Sequence, residues 1–211
     1  MELTRLGHSC VLVDTGAARL LFDPGTSSHD FEQLSGLDAV LITHQHPDHL
    51  DPARLPAVLA SNPGAVLLVD EGSAAQVAEL GLAFRTVRPG EAVTVAGARI
   101  AVVGGAHAVI HPDIPGIANN GYVIDDGAFY HPGDSLVVPP QDVDVVGVAI
   151  GAPWLKISEA VDFLRSLAPR VAVPVHDAFL SNSALYEGLL RTLAPPTTSV
   201  QVMASGSPAT L

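Results

Sequence analysis

The sequence predicts an α/β fold whose β-sheets are covered on both faces. Three observations predict it. Strand-like runs come first along the chain, and helices then alternate with strands. Several strand-like runs are apolar throughout, Val145 to Ile150 among them, which is the pattern of a strand buried on two sides. A polar cluster, Thr43-His44-Gln45-His46-Pro47-Asp48-His49, follows one such run directly. It therefore sits on a strand-to-helix loop at a sheet edge, where α/β folds usually carry their chemistry.

The elements follow in order. Thr4 to Val13 and Arg19 to Asp23 read as a hairpin about Thr15-Gly16. Asp38 to Ile42 is the strand before the polar loop. Pro52 to Ala60 reads as a helix, with Asp51 as N-cap and Pro52 at the first helical position. Ala65 to Asp70 is a strand, and Ser73 to Leu80 a short helix ended by Gly81. Phe84 to Arg88, Ala92 to Ala96 and Arg99 to Val103 are strands parted by Pro89-Gly90 and Gly97. Gly121 to Asp125 and Ala128 to His131 form a hairpin turned by Asp126-Gly127. After the strand at Val145 come a helix over Ser158 to Leu167, with Ser158 as N-cap, and a strand over Val171 to Val175. A helix over Ser183 to Leu193 and a strand over Ser199 to Met203 close the series. No Pro/Gly/Ser linker divides the 211 residues, so one domain spanning 1–211 is expected.

Composition narrows the function. The chain is 48% hydrophobic and 15% charged, as a globular protein is. No apolar run reaches the ~18 residues of a membrane span, and Met1 to Arg5 lacks the basic-then-apolar pattern of a signal peptide. The single cysteine, Cys10, permits no internal disulfide and suits a cytoplasmic protein. It lies in a strand-like run and reads as a small buried hydrophobe. The formal charge of −12, with no basic run, argues against nucleic acid as a partner. A small-molecule substrate is the expected partner and no membrane contact is expected; the oligomeric state is not readable, a homo-oligomer being one option.

The polar loop carries the chemistry. In an extended segment His44 and His46 point the same way and can grip one cation. Asp48 and His49, beyond the Pro47 turn, are free to reach a second. The motif resembles the H-x-H-x-D-H signature of the metallo-β-lactamase superfamily. The later parts of that pattern follow in order: Gly104-Gly105-Ala106-His107, His131-Pro132-Gly133-Asp134 and Val173-Pro174-Val175-His176, with Leu21-Phe22-Asp23 ahead of the motif. The resemblance runs from about Gly7 to Asp177. It implies an αββα sandwich of two mixed sheets flanked by helices, with the metal site at one rim.

The same resemblance implies a ligand set. His44, His46 and His107 would hold a first metal; Asp48, His49 and His176 a second; Asp134 would bridge them. Zinc suits these ligands best, and iron or manganese would accept them. The implied activity is hydrolysis of an ester, lactone, amide or phosphodiester by a metal-bound hydroxide, with Asp48 as ligand and catalytic group. Flavodiiron relatives usually carry Glu where His46 stands, and many zinc β-lactamases lack the aspartate at Asp134. The Gly7-His8-Ser9 start resembles the branch of L-ascorbate-6-phosphate lactonase-like hydrolases.

Four further residues are candidates. Asp23 is expected to hydrogen-bond the outer ring nitrogen of a metal-bound histidine; a simple turn aspartate before Pro24-Gly25 is the other reading. His8 can line the cleft or be a strand residue with a satisfied ring. His111, in a Pro/Gly-rich loop, can touch substrate or be a mobile surface side chain. Lys156, the one lysine, can hold a substrate anion or be a solvated helix-start charge. His131 reads as structural and His29 as exposed. Two rival activities are a thioester or phosphodiester hydrolase of the glyoxalase II or ribonuclease Z branches. These usually add a helical C-terminal domain, or a tRNA-binding arm with a basic surface. A metal-bearing scaffold that binds a ligand without turnover is the rival from another class.

Overall fold

Two seven-stranded sheets pack face to face with helices outside them, in a computed structural model that describes residues 1–211. The first sheet is built by β1 (Glu2–Arg5), β2 (Val11–Asp14), β3 (Arg19–Phe22), β4 (Ala39–Leu41), β5 (Val66–Val69) and β6 (Arg85–Thr86). Helices α1 (Leu55–Ser61) and α2 (Ala74–Glu79) lie between its later strands in sequence. The second sheet is built by β7 (Ala92–Val95), β8 (Ala98–Gly104), β9 (Asn120–Ile124), β10 (Phe129–His131), β11 (Val145–Ala149), β12 (Val171–Val175) and β13 (Ser199–Val200), with α3 (Ile157–Leu167) and α4 (Ser183–Leu193). The last strand, β14 (Pro208–Thr210), returns to the first sheet and pairs antiparallel with β1. Apart from this closing pair, the antiparallel pairings of each sheet come first in the chain and the parallel ones later.

Strand alternation explains the layers. Leu20, Phe22 and Leu41 face inward and meet Ile100, Tyr122, Phe129 and Val173 of the other sheet. Leu21, Val40 and Ile42 face outward and are covered by Leu55, Val58 and Val77 of α1 and α2. On the far side Val146, Val148 and Ala172 are covered by Val161, Phe163 and Leu164 of α3 and Leu190 of α4. The strands are thus buried on both faces, which is why they carry so few polar residues. Emptying the centre of this sandwich, as by Phe22→Ala, would cost about 3–5 kcal/mol.

Several elements depart from the sequence reading. The predicted strand from Thr4 to Val13 is two strands, broken where Gly7 (φ 90°) and His8 (φ 48°) turn the chain back. The Leu6 N–H bonds the Cys10 carbonyl at 2.8 Å to close this turn. Helix α1 begins at Leu55, not Pro52. Asp51 does cap the preceding turn, accepting the Ala53 and Arg54 N–H groups at 2.9 and 3.2 Å. Pro56 has no N–H to give to the Pro52 carbonyl, so the ladder is interrupted there. Helix α3 begins one residue earlier than expected, because Glu159 reaches back to the Lys156 N–H at 2.8 Å and Ser158 lies inside the helix. The final predicted strand shortens to Ser199–Val200.

Both sheets deliver loops to one rim. Tyr122 on β9 donates its hydroxyl to the Ile42 carbonyl at 2.8 Å, and the Asn120 N–H bonds the Thr43 carbonyl at 2.8 Å. The second sheet therefore holds the polar loop of the first. From the first sheet's own side, Gly25 lets the chain after β3 press against the same loop: a Cβ there would lie 1.9 Å from the Asp48 carbonyl oxygen.

Candidate metal centre

The loop from Ile42 to Asp51 leaves β4 and carries His44, His46, Asp48 and His49. Three strand ends of the second sheet face it. His107 follows β8, Asp134 follows β10, and His176 follows β12. The structure brings all seven residues together as two adjoining groups. One contains His44, His46, His107 and Asp134; the other contains Asp48, His49 and His176, with His8 beside them. Within the first, His44 Nε2 lies 3.1 Å from His46 Nδ1. Within the second, Asp48 Oδ2 lies 3.5 Å from His176 Nε2 and 3.9 Å from His49 Nε2.

Asp134 spans the two. Its Oδ1 is 3.1 Å from His49 Nε2 and 3.3 Å from His176 Nε2, while its Oδ2 is 3.4 Å from His107 Nε2. Trp154 donates its indole N–H to that same Oδ2 at 2.7 Å. The Asp134 backbone N–H is held by Asn119 Oδ1 at 2.9 Å.

The outer nitrogen of each buried ring is already engaged. His49 Nδ1 gives its proton to Asp23 at 2.7 Å, and His176 Nδ1 to the Gly151 carbonyl at 2.7 Å. His107 Nδ1 bonds the Ala108 carbonyl at 2.5 Å. The Thr43 hydroxyl donates to Asp23 at 2.7 Å, so it accepts from His44 Nδ1 at 3.0 Å. These contacts fix the tautomers and turn the Nε2 lone pairs inward. Within this centre four buried atoms are left without any hydrogen-bond partner: His49 Nε2, His107 Nε2, His176 Nε2 and Asp134 Oδ1. Buried polar atoms are almost always paired, so four of them converging is the signature of a site built for cations.

Electrostatics agrees with that fit. Burial, with His49 beside it, holds the His44 ring well below its ordinary pKa, and burial with His107 lowers His46. Both rings are thus neutral and able to ligate. Burial opposes charge at His49, yet Asp134 and Asp23 outweigh it and raise its pKa well above the ordinary value, so these carboxylates call for a positive charge at the ring that a cation at Nε2 would supply in place of the proton. Burial likewise opposes charge at Asp48, but His8, His49 and His176 bring its carboxyl down to about 2. Asp134, also against the cost of burial, is held well below the carboxylate range by His49, His107 and His176. No Lys or Arg lines the cleft over these carboxylates, a cavity of about 220 Å³.

Residues 2–176 match the model of the beta-lactamase superfamily domain. The chain belongs to that superfamily. It is 49% identical over 216 residues to Protein Rv0786c of Mycobacterium tuberculosis, with 100% of both chains covered. A UPF0173 metal-dependent hydrolase, MJ1163 of Methanocaldococcus jannaschii, is 26% identical over 82% of this chain and 83% of its own. Among solved structures, the novel metallo hydrolase Igni18 of Ignicoccus hospitalis superposes with a TM-score of 0.77 at 22% identity, covering 99% of this chain and 97% of that one. The superfamily fold is the sandwich of two sheets between helices described above.

The remaining candidates take distinct places in this superfamily member. Asp23 is fully buried behind the polar loop and joins His49, the Thr43 hydroxyl and the Thr43 N–H at 2.8 Å. His8 is buried, with Nε2 3.0 Å from Asp48 Oδ2 and Nδ1 accepting the Ala178 N–H at 3.2 Å. Its Nδ1 lone pair is occupied and its Nε2 carries the proton, so His8 supports Asp48 and offers no lone pair to a metal. His111 lies on the 108–117 loop beside the centre, its side chain exposed. Lys156 stands exposed at the start of α3 and lines neither that cavity nor the cleft. His131 is buried and structural: it stacks on Phe22 at 5.4 Å and gives its Nε2 proton to the Ser9 carbonyl at 2.9 Å.

Sequence reasoning missed Trp154, Thr43 and Asn119. Trp154 is the sole tryptophan, in a loop after an apolar strand that ends at the same rim as His176. That position was a usable signal. Nothing local marks Asn119 as the partner of Asp134.

Proposed function

We propose that the protein is a dinuclear metal-dependent hydrolase acting on a small molecule through an ester, lactone, amide or phosphodiester bond. The observation that carries this reading is the convergence of four unpartnered buried atoms between rings whose outer nitrogens are already bonded. His44, His46 and His107 would hold one divalent ion, Asp48, His49 and His176 another, and Asp134 both. Zinc suits the imidazole-rich set, with manganese or iron as alternatives. Such ions supply Lewis acidity and bring the pKa of a bound water toward ~7.

The chain's own residues do the rest. Asp48 presents an ionised carboxylate toward the cleft. With His8 donating to its Oδ2, that carboxylate is oriented to accept a proton from the attacking water and pass it on. Trp154 restrains the Asp134 carboxylate, and Asp23 restrains His49. Gly7-His8-Ser9 supports placement in the lactonase-like branch. The −12 charge supports a protein that does not bind nucleic acid, and the single cysteine fits a cytoplasmic location.

The test is elemental analysis of protein purified without chelator, paired with turnover of a panel of esters and lactones. Two ions per chain and chelator-sensitive turnover are expected. Saturation at a single ion, with His176 unligated in a metal-bound structure, would refute the dinuclear reading.

A further inference from the structure

The walls around the metal centre narrow the substrate. At the end of β8, Gly104 (φ 83°) and Gly105 (φ 124°) turn the chain outward. The loop that follows is pinned at its base. The Gly105 N–H bonds the Asn119 carbonyl at 2.9 Å, and the His107 N–H bonds the Ile117 carbonyl at 3.1 Å. The Ala108 N–H bonds the Asp134 carbonyl at 2.8 Å, which ties the loop to the centre itself. Pro112 and Pro115 restrict its tip.

Beneath the tip is a cavity of about 510 Å³, within the range of small-molecule sites. Its far wall is Val109, Ile110, Ile114 and Ile117; its near wall is His46 and His107. The cleft over Asp48 and Asp134 shares His46, His107 and Ile110, so the two spaces adjoin. Val109 is 72% exposed and Ile114 51%. Aliphatic side chains grouped in the open around a cavity mark a binding surface.

We propose that this loop forms an apolar subsite adjoining the metal centre, and that it takes the uncharged aliphatic arm of a neutral ester or lactone. The inference rests on the hydrolase reading and specifies its substrate class. Charge decides against an anionic arm. No Lys or Arg lines either space, Lys156 lies outside both, and the chain carries a formal −12. A phosphate on the arm would find no counter-charge beyond the metals. The one polar side chain on the loop side is His111, whose Nδ1 accepts the Asp113 N–H at 3.1 Å, leaving Nε2 as the position for a donated hydrogen bond.

The experiment uses the metal-loaded full chain and p-nitrophenyl acetate, butyrate, hexanoate and octanoate. Each added methylene is expected to raise kcat/KM about two- to fourfold until the cavity is filled, since a fully buried CH₂ contributes about 0.8 kcal/mol. In parallel, calorimetric titration with butan-1-ol, hexan-1-ol and octan-1-ol should give affinities that tighten with the same trend. The double variant Val109→Ser, Ile114→Ser changes exposed side chains, and is expected to lower the octanoate-to-acetate ratio at least tenfold. A flat series in both assays would overturn the proposal. So would an unchanged ratio in the variant, or preference for a phosphorylated lactone over its unphosphorylated parent. If no ester is turned over but alcohol affinity climbs with chain length, the subsite stands and the hydrolase reading fails. If esters are cleaved without chain-length dependence, the reverse holds. A dimer in sedimentation that buries Val109 and Ile114, together with a flat series, would assign these residues to contact with a second copy and overturn the subsite.

Discussion

The two halves of the molecule reach the metal centre by opposite means. The first sheet sends four candidate ligands from one loop, His44 to His49. The second sends three, His107, Asp134 and His176, from three separate strand ends. Covalent neighbours share one local conformation, but a loop is only as rigid as what holds it. The polar loop is held from outside, by Asp23 behind it, by Gly25 against the Asp48 carbonyl, and by Tyr122 and Asn120 of the other sheet. The strand ends carry their rigidity with them through the β-ladders. Compactness along the sequence was exchanged for dependence on tertiary support. Asp134 is the ligand candidate that touches both groups, and substitutions sort by which half they disturb.

Asp134→Ala should have the largest effect, because it removes the carboxylate that both groups face. Turnover on any confirmed ester is expected to fall about 10⁴-fold, the top of the range for a group acting on protons and charge in the transition state. Both metal stoichiometries should drop together; retention of two ions with high affinity would show that the halves assemble independently. Asp48→Asn disturbs one group alone. It keeps the shape and loses the charge, so turnover should fall about 10²–10⁴-fold, while the ion at His44, His46 and His107 stays bound. Near-normal turnover with both ions present would reduce Asp48 to a replaceable ligand.

Asp23→Ala probes the support of the polar loop and touches no substrate. Loss of the acceptor for His49 and Thr43 should weaken metal affinity by up to about 100-fold, and should lower Tm in a melting curve because buried donors go unpaired. A variant with unchanged affinity and unchanged Tm would mean the loop is rigid by itself. Trp154→Phe is the mildest, keeping an aromatic ring and removing one donor to Asp134. A loss of about tenfold in metal affinity is expected, seen in chelator competition, and a larger loss than in Asp23→Ala would invert the ranking of the halves.

This asymmetry also governs what the sequence discloses. The loop from His44 to His49 is legible because its ligands are adjacent, and the apolar run before it fixes it to a strand end. Asp23 is legible as a residue just after a strand. The second half is legible only as an ordered set, since nothing around His107 or His176 alone distinguishes a ligand from a surface ring. Helical cover on both faces of the sheets follows from their apolar strands, and the αββα layering is what the resemblance to the superfamily implies. What escaped depends on long-range contact. The break at Gly7-His8 escaped because no Pro or Asn-Gly marks it and a backbone bond from Leu6 to Cys10 closes the turn, and β14 escaped because Pro208 begins so short a segment. The partnership of Trp154 with Asp134 joins residues 20 apart through a tertiary approach that no local pattern encodes.

Three residues at the rim share a backbone oddity. His8, Asp23 and His176 all sit at positive φ, at 48°, 45° and 61°. A non-glycine residue held there costs about 1–3 kcal/mol. Glycine would relieve each position and would delete an imidazole or a carboxylate that the rim uses. Relief of strain and loss of the buried hydrogen bonds made by these side chains offset each other, so variants selected only for heat resistance should gain little at these three sites. Variants selected for turnover should keep all three and find their added stability elsewhere, in the α4 face or the exposed turns.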